Sequence, residues 1–339
     1  MVALSAVIAS NQRIASSLPS GLVAVFVGGT SGVGEYTLKA LAQYARDPQI
    51  YIVGRSQVSA DRIIAECKII SPGGHFEFLP ADVSVLKGVD DICKVIAKKA
   101  PVINILFLSQ GSMAFDSITS DGIPLSFELG IHSRLRVILN LLPNVQRAQG
   151  LRRVVNVGAA TCEGPIDLSN IHGTGFPLLK WRDQLASVTT LFLQEAHRRA
   201  SEVSFVGTVP GTVDSGIRRD LKLNFRLAII VGISNILKPW LNVPPAQCGE
   251  RHVFAATSAA FTASGDNYGV PVGGDVAVAL GVDGASGSGV YSTGVQNDAA
   301  PAKVVDILRQ FKEDGTADKV WNHLMSDFKR ITQSEIGLV

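Results

Sequence analysis

The amino-acid sequence predicts an α/β protein built on a doubly wound parallel sheet. Between residues 22 and 209, short apolar segments alternate with longer segments whose apolar residues have helical spacing. A glycine-rich turn directly follows the first apolar segment, and 46% of the 339 residues are hydrophobic, enough for a large core. Short apolar strands separated by helices are typical of a parallel sheet covered on both faces by right-handed crossovers. We therefore expect a single domain over residues 1–339.

Apolar runs and their stop signals give the elements in order. Six strands are predicted first, at residues 22–27, 50–54, 75–80, 103–109, 152–158 and 203–209. The helices between them are predicted at about residues 32–46, 59–70, 85–100, 127–149 and 178–200. Asp47 and Pro48 end the first of these helices, and the sequence SPGG ends the second.

The chain beyond Val209 is predicted to be less regular. An apolar helical segment covers about residues 216–240, and a further helix follows in the sequence PPAQCGERHVFAATSAAF. Glycine and serine crowd residues 264–289, which predicts loops, and GVYSTG is the predicted last strand. We place the core at about residues 20–295, an apolar lid over the site at about 216–260, and C-terminal helices at about 300–333.

Composition excludes several classes of function. The net charge is +2 with scattered basic residues, which argues against a nucleic-acid surface. The four cysteines show no Cys-x-x-Cys pair and no histidine spacing suited to zinc, so we expect reduced thiols and no metal. The first residues lack the basic start of a secretory signal, and the longest apolar run, 227–241, is too short to span a bilayer. A cytoplasmic protein without a membrane span is expected.

The glycine-rich turn predicts a dinucleotide site. Gly28, Gly32 and Gly34 lie between the first strand and the helix that follows it. Glycines at such a junction permit a tight turn, a close approach of the backbone to a pyrophosphate, and close packing of helix on strand. The free amides at the helix N-terminus then face the phosphates.

The spacing Gly-x-x-x-Gly-x-Gly resembles that of the short-chain dehydrogenase/reductase family, although Val27 stands where the family has threonine. The sequences ADV, LSQG and VPGTVDSG also resemble family landmarks. The resemblance implies a Rossmann fold, and some features resemble a fungal subgroup with roles in secondary metabolism. Beyond the three glycines, it implies that the cofactor is bound by Thr30, Ser31, Val33, Asp82, Val83, Ser109, Gly111, Pro210, Gly211 and Val213.

Arg55 predicts which nucleotide is bound. It ends the second strand in the sequence VGRS, where an acidic residue would bind the 2′-hydroxyl of NAD. An arginine there suits a 2′-phosphate, because its planar guanidinium matches the phosphate oxygens. The sequence therefore favours NADPH over NADH; the alternative is that Arg55 is a solvated surface residue.

The family's proton relay has no counterpart at the expected places. The resemblance implies a tyrosine and a lysine four residues apart at the start of the long helix after the fifth strand, with a serine and an asparagine nearby. Here there is no tyrosine between Tyr51 and Tyr268. The tyrosine, lysine, serine and asparagine positions fall on Leu178, Arg182, Ala159 and Gly130.

This departure shapes the predicted function. Hydride addition to a ketone builds negative charge on oxygen and needs a donor, whereas addition to an iminium quenches a positive charge. We predict an NADPH-dependent reductase of C=O or C=N bonds in a bulky apolar substrate, assembled as a homo-oligomer. The alternatives are a non-redox cyclase or isomerase, and a cofactor-binding regulatory protein. The candidate catalytic residues are Arg134, Asp167 and Arg182; Lys180 competes with Arg182, and each has the alternative of a surface or salt-bridging role.

Overall fold

A computed structural model describes residues 1–218, 242–263 and 268–333. The strands are β1 (Val23–Val27), β2 (Gln49–Gly54), β3 (His75–Pro80), β4 (Ile105–Leu108), β5 (Arg153–Val157), β6 (Ser204–Thr208) and β7 (Val290–Thr293). They form one parallel sheet in the order β3-β2-β1-β4-β5-β6-β7. The predicted fold class, a doubly wound Rossmann-type sheet, is confirmed.

Helices cover both faces of the sheet. They are α1 (Leu4–Asn11), α2 (Ile14–Ser17), α3 (Gly32–Tyr44), α4 (Gln57–Ile70), α5 (Leu86–Lys99), α6 (Leu125–Phe127), α7 (Ser133–Gln146), α8 (Leu178–Arg199), α9 (Pro245–Thr257), α10 (Ala302–Glu313) and α11 (Thr316–Thr332). A π-helical turn, Glu128–His132, joins α6 to α7. Within the described ranges, no helix has both the length and the apolar character that crossing a bilayer requires.

Strand β1 shows how the core positions the site. Its side chains alternate between two apolar clusters: Ala24 and Phe26 face one, and Val25 and Val27 face the other. Both faces are buried, which is why the strand reads as a continuous apolar run. From β1 the chain adds β2 and β3 towards one edge of the sheet, and β4 and the later strands are added on the other side of β1. The direction of winding therefore reverses between β1 and β4. In open α/β sheets a ligand crevice forms at this point, at the carboxyl ends of the strands.

The predicted lid proves to contain a core helix. Helix α9 lies within the predicted range 216–260, but it packs tightly against α3: a Cβ on Gly249 would lie 2.6 Å from the carbonyl oxygen of Tyr36. Phe254 on the same helix is completely buried. The apolar run 227–241 belongs to residues 219–241, which lie outside the described part of the chain.

The N-terminal helices were not predicted from the sequence. Helix α1 packs on α9, where Asn11 donates a hydrogen bond of 2.9 Å to the carbonyl oxygen of Glu250. Helix α1 has no charged residue and a weakly one-sided apolar pattern, so its sequence carries little helical signal. Its position depends on the tertiary contact with α9.

The predicted C-terminal helices are confirmed, and they cover part of the long helix α8. The ring of Trp321 on α11 stacks on Phe192 of α8 with centroids 5.3 Å apart. The guanidinium of Arg199, also on α8, lies over the ring of Trp321, 4.6 Å from the ring centroid. A contact between two copies of the chain through this part of α8 would therefore have to include α11.

The π-helical turn buries a carboxyl group. Glu128 has no exposed surface, and neither of its carboxyl oxygens accepts a hydrogen bond within the described structure. Burial raises the pKa of Glu128 to about 8, and the carboxylates of Asp121 and Asp327 add to the rise. A carboxyl group in this position is held in its neutral form over a wide pH range.

Replacing Glu128 with glutamine should make thermal stability less dependent on pH. The pKa of Glu128 is higher in the folded than in the unfolded chain. The contribution of Glu128 to the free energy of unfolding is therefore fully present below the unfolded-state pKa of 4.5. That contribution is lost as the pH rises towards the folded-state pKa of about 8. The melting temperature of Glu128→Gln relative to the wild type should increase between about pH 5 and about pH 9. Differential scanning fluorimetry tests this, with Glu313→Gln on the surface of α10 as the control. A melting-temperature difference between Glu128→Gln and the wild type that stays constant with pH would contradict the raised pKa of Glu128.

Candidate functional site

The glycine turn brings two backbone segments into close contact at the carboxyl edge of the sheet. Gly28 has a φ of +85°, and a Cβ on it would lie 2.6 Å from the backbone nitrogen of Gln110 after β4. A Cβ on Gly34 would lie 2.5 Å from the carbonyl oxygen of Gly28. Side chains at these positions would force the turn away from the neighbouring strand or the helix away from the turn.

The N-terminus of α3 offers amide groups without a side-chain cap. Ser31 precedes the helix in an extended conformation, and its side chain makes no capping hydrogen bond. By contrast, Ser56 caps α4 by accepting a hydrogen bond from the amide of Ser59. Uncapped amides together with the helix dipole suit an anionic group, and they fit the pyrophosphate of a dinucleotide.

The segment after β6 folds back onto the glycine turn. The Tyr36 hydroxyl donates to the carbonyl oxygen of Asp214 at 2.8 Å, and a Cβ on Gly32 would lie 2.6 Å from Cβ of Ser215. Gly211 has a φ of +72°, which lets the chain reverse here. The structure thus brings the predicted segment of Pro210, Gly211 and Val213 next to the predicted phosphate-binding turn.

Arg55 lies exposed at the end of β2. Within the described residues, its side chain forms no ion pair and no hydrogen bond. Thr30 of the glycine turn packs against the same strand end: a Cβ on Gly54 would lie 2.7 Å from the methyl group of Thr30. Arg55 is therefore beside the turn and is free to contact a ligand.

The other predicted cofactor residues border the same edge. Asp82 is exposed and accepts a hydrogen bond of 3.0 Å from the amide of Ser84, while Val83 is buried. The hydroxyl of Ser109 donates to the carbonyl oxygen of Gly28 at 3.2 Å and so ties the end of β4 to the turn. Gly111 lies one step further, where a Cβ would be 3.5 Å from Nη2 of Arg134.

Arg134 is buried beneath the strand ends rather than displayed in an open cleft. Its Nε donates to the carbonyl oxygen of Gln110 at 2.9 Å, and its Nη1 donates to Asn156 Oδ1 at 3.2 Å and to the Val157 carbonyl oxygen. No carboxylate of the described chain pairs with it, and burial lowers the pKa of Arg134 to about 10. It therefore keeps its positive charge at neutral pH and holds the ends of β4 and β5 together.

Asp167 and Arg182 are not close partners of Arg134. Asp167 is half-exposed; it accepts a hydrogen bond of 2.6 Å from the Ser169 hydroxyl and pairs with Lys180 at 3.4 Å. These hydrogen bonds hold the pKa of Asp167 below its ordinary value, with the Ser169 bond the largest cause. Arg182 pairs with the neighbouring Asp183 at 2.6 Å. The three predicted catalytic residues thus have three different environments.

The positions predicted for the relay have other surroundings. Leu178 begins α8 and is half-exposed. A Cβ on Gly130 would lie 2.8 Å from Cδ1 of Leu185, so a larger residue there requires the Leu185 side chain to move. The five tyrosines lie at other positions. Tyr36 donates a hydrogen bond to Asp214 beside the glycine turn. Away from it, Tyr44 bonds Glu250, Tyr51 bonds Lys99, Tyr291 bonds Thr262, and Tyr268 lies under Arg152.

An apolar border near the start of α8 was missed by the sequence analysis. The rings of Phe115 and Trp181 meet edge to face with centroids 5.0 Å apart. Leu179 is 62% exposed, and Ile217 is 42% exposed beside Gly111. The available signal was the presence of aromatic residues in the segments that follow β4 and β5, where polar loop residues are the norm.

Comparisons with known proteins agree with this architecture. Residues 22–175 match the family model described as short chain dehydrogenase. Oxidoreductase AN1596 of Emericella nidulans is 33% identical over 335 residues, covering 96% of this chain and 98% of that protein. Oxidoreductase andH of Emericella variicolor is 30% identical over 352 residues, covering 98% and 99%.

Among solved structures, the Pseudomonas aeruginosa RhlG complex with NADP matches with a TM-score of 0.52. The match covers 78% of this chain and 98% of that chain at 18% identity, and shows that the two share a fold. The glycine turn, the strand order and the two full-length relatives lead to one conclusion. The chain belongs to the short-chain dehydrogenase family and is an oxidoreductase of that type.

Proposed function

We propose that this protein uses NADPH to reduce a C=O or C=N bond in a bulky apolar substrate. Arg55 carries the proposal: a free guanidinium stands at the end of β2, where it meets the 2′-phosphate of a nucleotide held by the glycine turn. RhlG, which has the same fold, was solved with NADP.

The residues around the turn fit the coenzyme. The amides of Gly32, Val33 and Gly34 would hold the pyrophosphate, and Thr30 and Ser31 would add hydroxyl groups near Arg55. Asp82 and Val83 would contact the adenine side, while Ser109, Gly111 and the segment from Pro210 to Val213 would contact the nicotinamide side. When bound, the coenzyme supplies the hydride; the protein positions the acceptor and excludes water.

The positive charge of Arg134 favours one of the two possible reacting bonds. Its buried guanidinium lies directly beneath Gly111, and one of its Nη2 hydrogens has no acceptor in the described part of the chain. A fixed positive charge at the strand ends stabilises an oxygen that becomes negative during carbonyl reduction. The same positive charge disfavours binding of a cationic iminium. Of the two bond types, the charge of Arg134 therefore favours reduction of C=O. Residue 178 is a leucine, so the proton must come from a group at another position.

The apolar border supports a bulky apolar substrate. Phe115 and Trp181 pack edge to face in the segments that follow β4 and β5, Ile217 lies beside Gly111, and apolar side chains line small-molecule sites. A role in secondary metabolism is part of the same proposal, and the two full-length relatives are both oxidoreductases of Emericella species. Asp167 and Arg182, whose partners lie on the protein surface, are proposed to contact the substrate or the coenzyme ribose from the rim of the site.

A second candidate is a non-redox cyclase or isomerase that keeps the coenzyme as part of the wall. One observation favours it: α8 begins with Leu178, which carries no ionisable group. The two functions differ in whether the coenzyme is consumed.

Replacing Arg55 with alanine should weaken NADPH binding by about 10- to 100-fold, because hydrogen bonds to a charged group contribute about 1.5–3 kcal/mol. NADH lacks the 2′-phosphate, so its affinity should change little. Arg46→Ala is the matched control, because Arg46 is an exposed arginine just before the opposite end of β2. Isothermal titration of each variant with both coenzymes gives the comparison. Equal losses for NADPH and NADH, or none, would overturn the proposed role of Arg55.

A reductase should convert one NADPH to NADP⁺ for each product formed. We expect this with bulky apolar ketones, and slower turnover with preformed iminium salts. From a ketone and unlabelled NADPH, mass spectrometry should find a product heavier than the substrate by one dihydrogen, and from an iminium cation a product heavier by one hydrogen. With NADPH dideuterated at C4, one of the added hydrogens should be deuterium bound to carbon. Isomeric products formed without coenzyme consumption would favour the cyclase or isomerase instead.

Arg134 and Arg182 should differ sharply in their effect on stability. Arg134→Leu leaves the carbonyl groups of Gln110 and Val157 without a buried donor, so it should lower the free energy of unfolding by about 2–5 kcal/mol. Arg182→Ala removes a half-exposed ion pair, which is worth less than about 1 kcal/mol. Urea denaturation measures both. Similar small losses would show that Arg134 does not hold the strand ends.

A further inference from the structure

Three histidine side chains converge on a single carboxylate oxygen. The Nε2 atoms of His132, His172 and His323 lie 3.0, 2.9 and 3.5 Å from Oδ2 of Asp327. The rings of His132 and His172 have centroids 5.6 Å apart, and those of His172 and His323 5.5 Å apart. We name these four residues the histidine cluster.

The histidine cluster joins three separate parts of the fold. His132 ends the π-helical turn, and His172 lies in the segment between β5 and α8. His323 and Asp327 are four residues apart on α11, so they lie on the same face of that helix. The cluster therefore forms only when the C-terminal helix is docked.

Neighbouring groups hold the cluster residues in place. Gln184 of α8 donates hydrogen bonds of 2.8 Å to the carbonyl oxygens of Asn170 and Ile171, which fixes the backbone next to His172. Arg330 donates to Oδ1 of Asp327 at 3.0 Å, so the other oxygen, Oδ2, faces the three rings. Outer contacts that fix ligand orientation in this way are characteristic of metal sites.

Three of these groups are spaced as the ligands of one metal ion can be. With bonds of about 2.0–2.1 Å, neighbouring ligand atoms around zinc lie about 3.3 Å apart. The Nε2 atoms of His132 and His172 lie 3.0 and 2.9 Å from Asp327 Oδ2, and the ligand atoms of the three residues all lie within 4.8 Å of one another. We propose that the histidine cluster binds a divalent transition-metal ion of the zinc class through His132, His172 and Asp327, with His323 beside the ion.

The ligand set selects the ion and suggests its role. Imidazole ligands suit zinc, cobalt, nickel and copper, whereas calcium and magnesium require oxygen ligands. His132 and Asp327 are buried, but the side chain of His323 is 40% exposed and provides an entry path. His132 and Asp327 come from different elements, so the ion links α11 to the π-helical turn, and three protein ligands leave one coordination position for water. This inference does not depend on the proposed coenzyme or substrate.

The test is metal binding by the untagged full chain after treatment with a chelator. Titration with Co²⁺ should give one bound ion per chain and the intense visible absorption of tetrahedral cobalt, and added Zn²⁺ should displace it. Zn²⁺ should also raise the melting temperature, because it binds the folded chain. His172→Ala should weaken binding at least about tenfold and abolish the thermal shift, and His323→Ala should have a smaller effect.

His75→Ala is the matched control, since His75 is an exposed histidine at the start of β3. It should bind cobalt as the wild type does. Circular dichroism in chelator shows whether each variant is folded; if His172→Ala unfolds, the more conservative His172→Gln decides the test. Two results would overturn the proposal: no stoichiometric binding by the wild type, or unchanged affinity in a folded His172 variant.

Discussion

The close approach of two backbone segments at the glycine turn is the constraint on which the site depends. Gly28 nearly touches the chain after β4, and Gly34 nearly touches Gly28, so side chains are excluded from both positions. The same absence of side chains leaves the amides at the start of α3 open to an anion. One steric requirement therefore both assembles the fold locally and creates the phosphate site.

Arg134 extends this constraint across the sheet. It supplies hydrogen bonds to the segments that end β4 and β5, and it brings a positive charge without a carboxylate partner in the described structure. A buried charge of this kind is costly, and backbone carbonyl groups compensate it only in part. Its retention beneath the strand ends is consistent with an electrostatic function in the site above it.

Much of the sheet could be predicted from the sequence because its strands are buried on both faces and read as continuous apolar runs. The positions of the glycine turn and of Arg55 at the strand ends were also predictable from local spacing, while their roles stay predictions. The environment of Arg134 was not: the π-helical turn before α7 determines where that side chain points. Asp167 likewise pairs with nearby residues that sequence spacing does not identify.

The histidine cluster shows the limit of motif reading. His132 and Asp327 are separated by 195 positions, so no short spacing rule joins them. The sequence analysis expected no metal because it searched for cysteine and histidine pairs close together in the chain. Helix α11 supplies the missing connection by packing back onto α8 and the π-helical turn.

The most direct test of the account is calorimetric titration of the wild-type protein with NADPH. The account predicts saturable binding of one coenzyme per chain, at concentrations within the range of about 1 μM to 1 mM that is typical of enzyme KM values, and weaker binding of NADH. Absence of saturable binding for both coenzymes would contradict the claim that the glycine turn holds a nicotinamide dinucleotide.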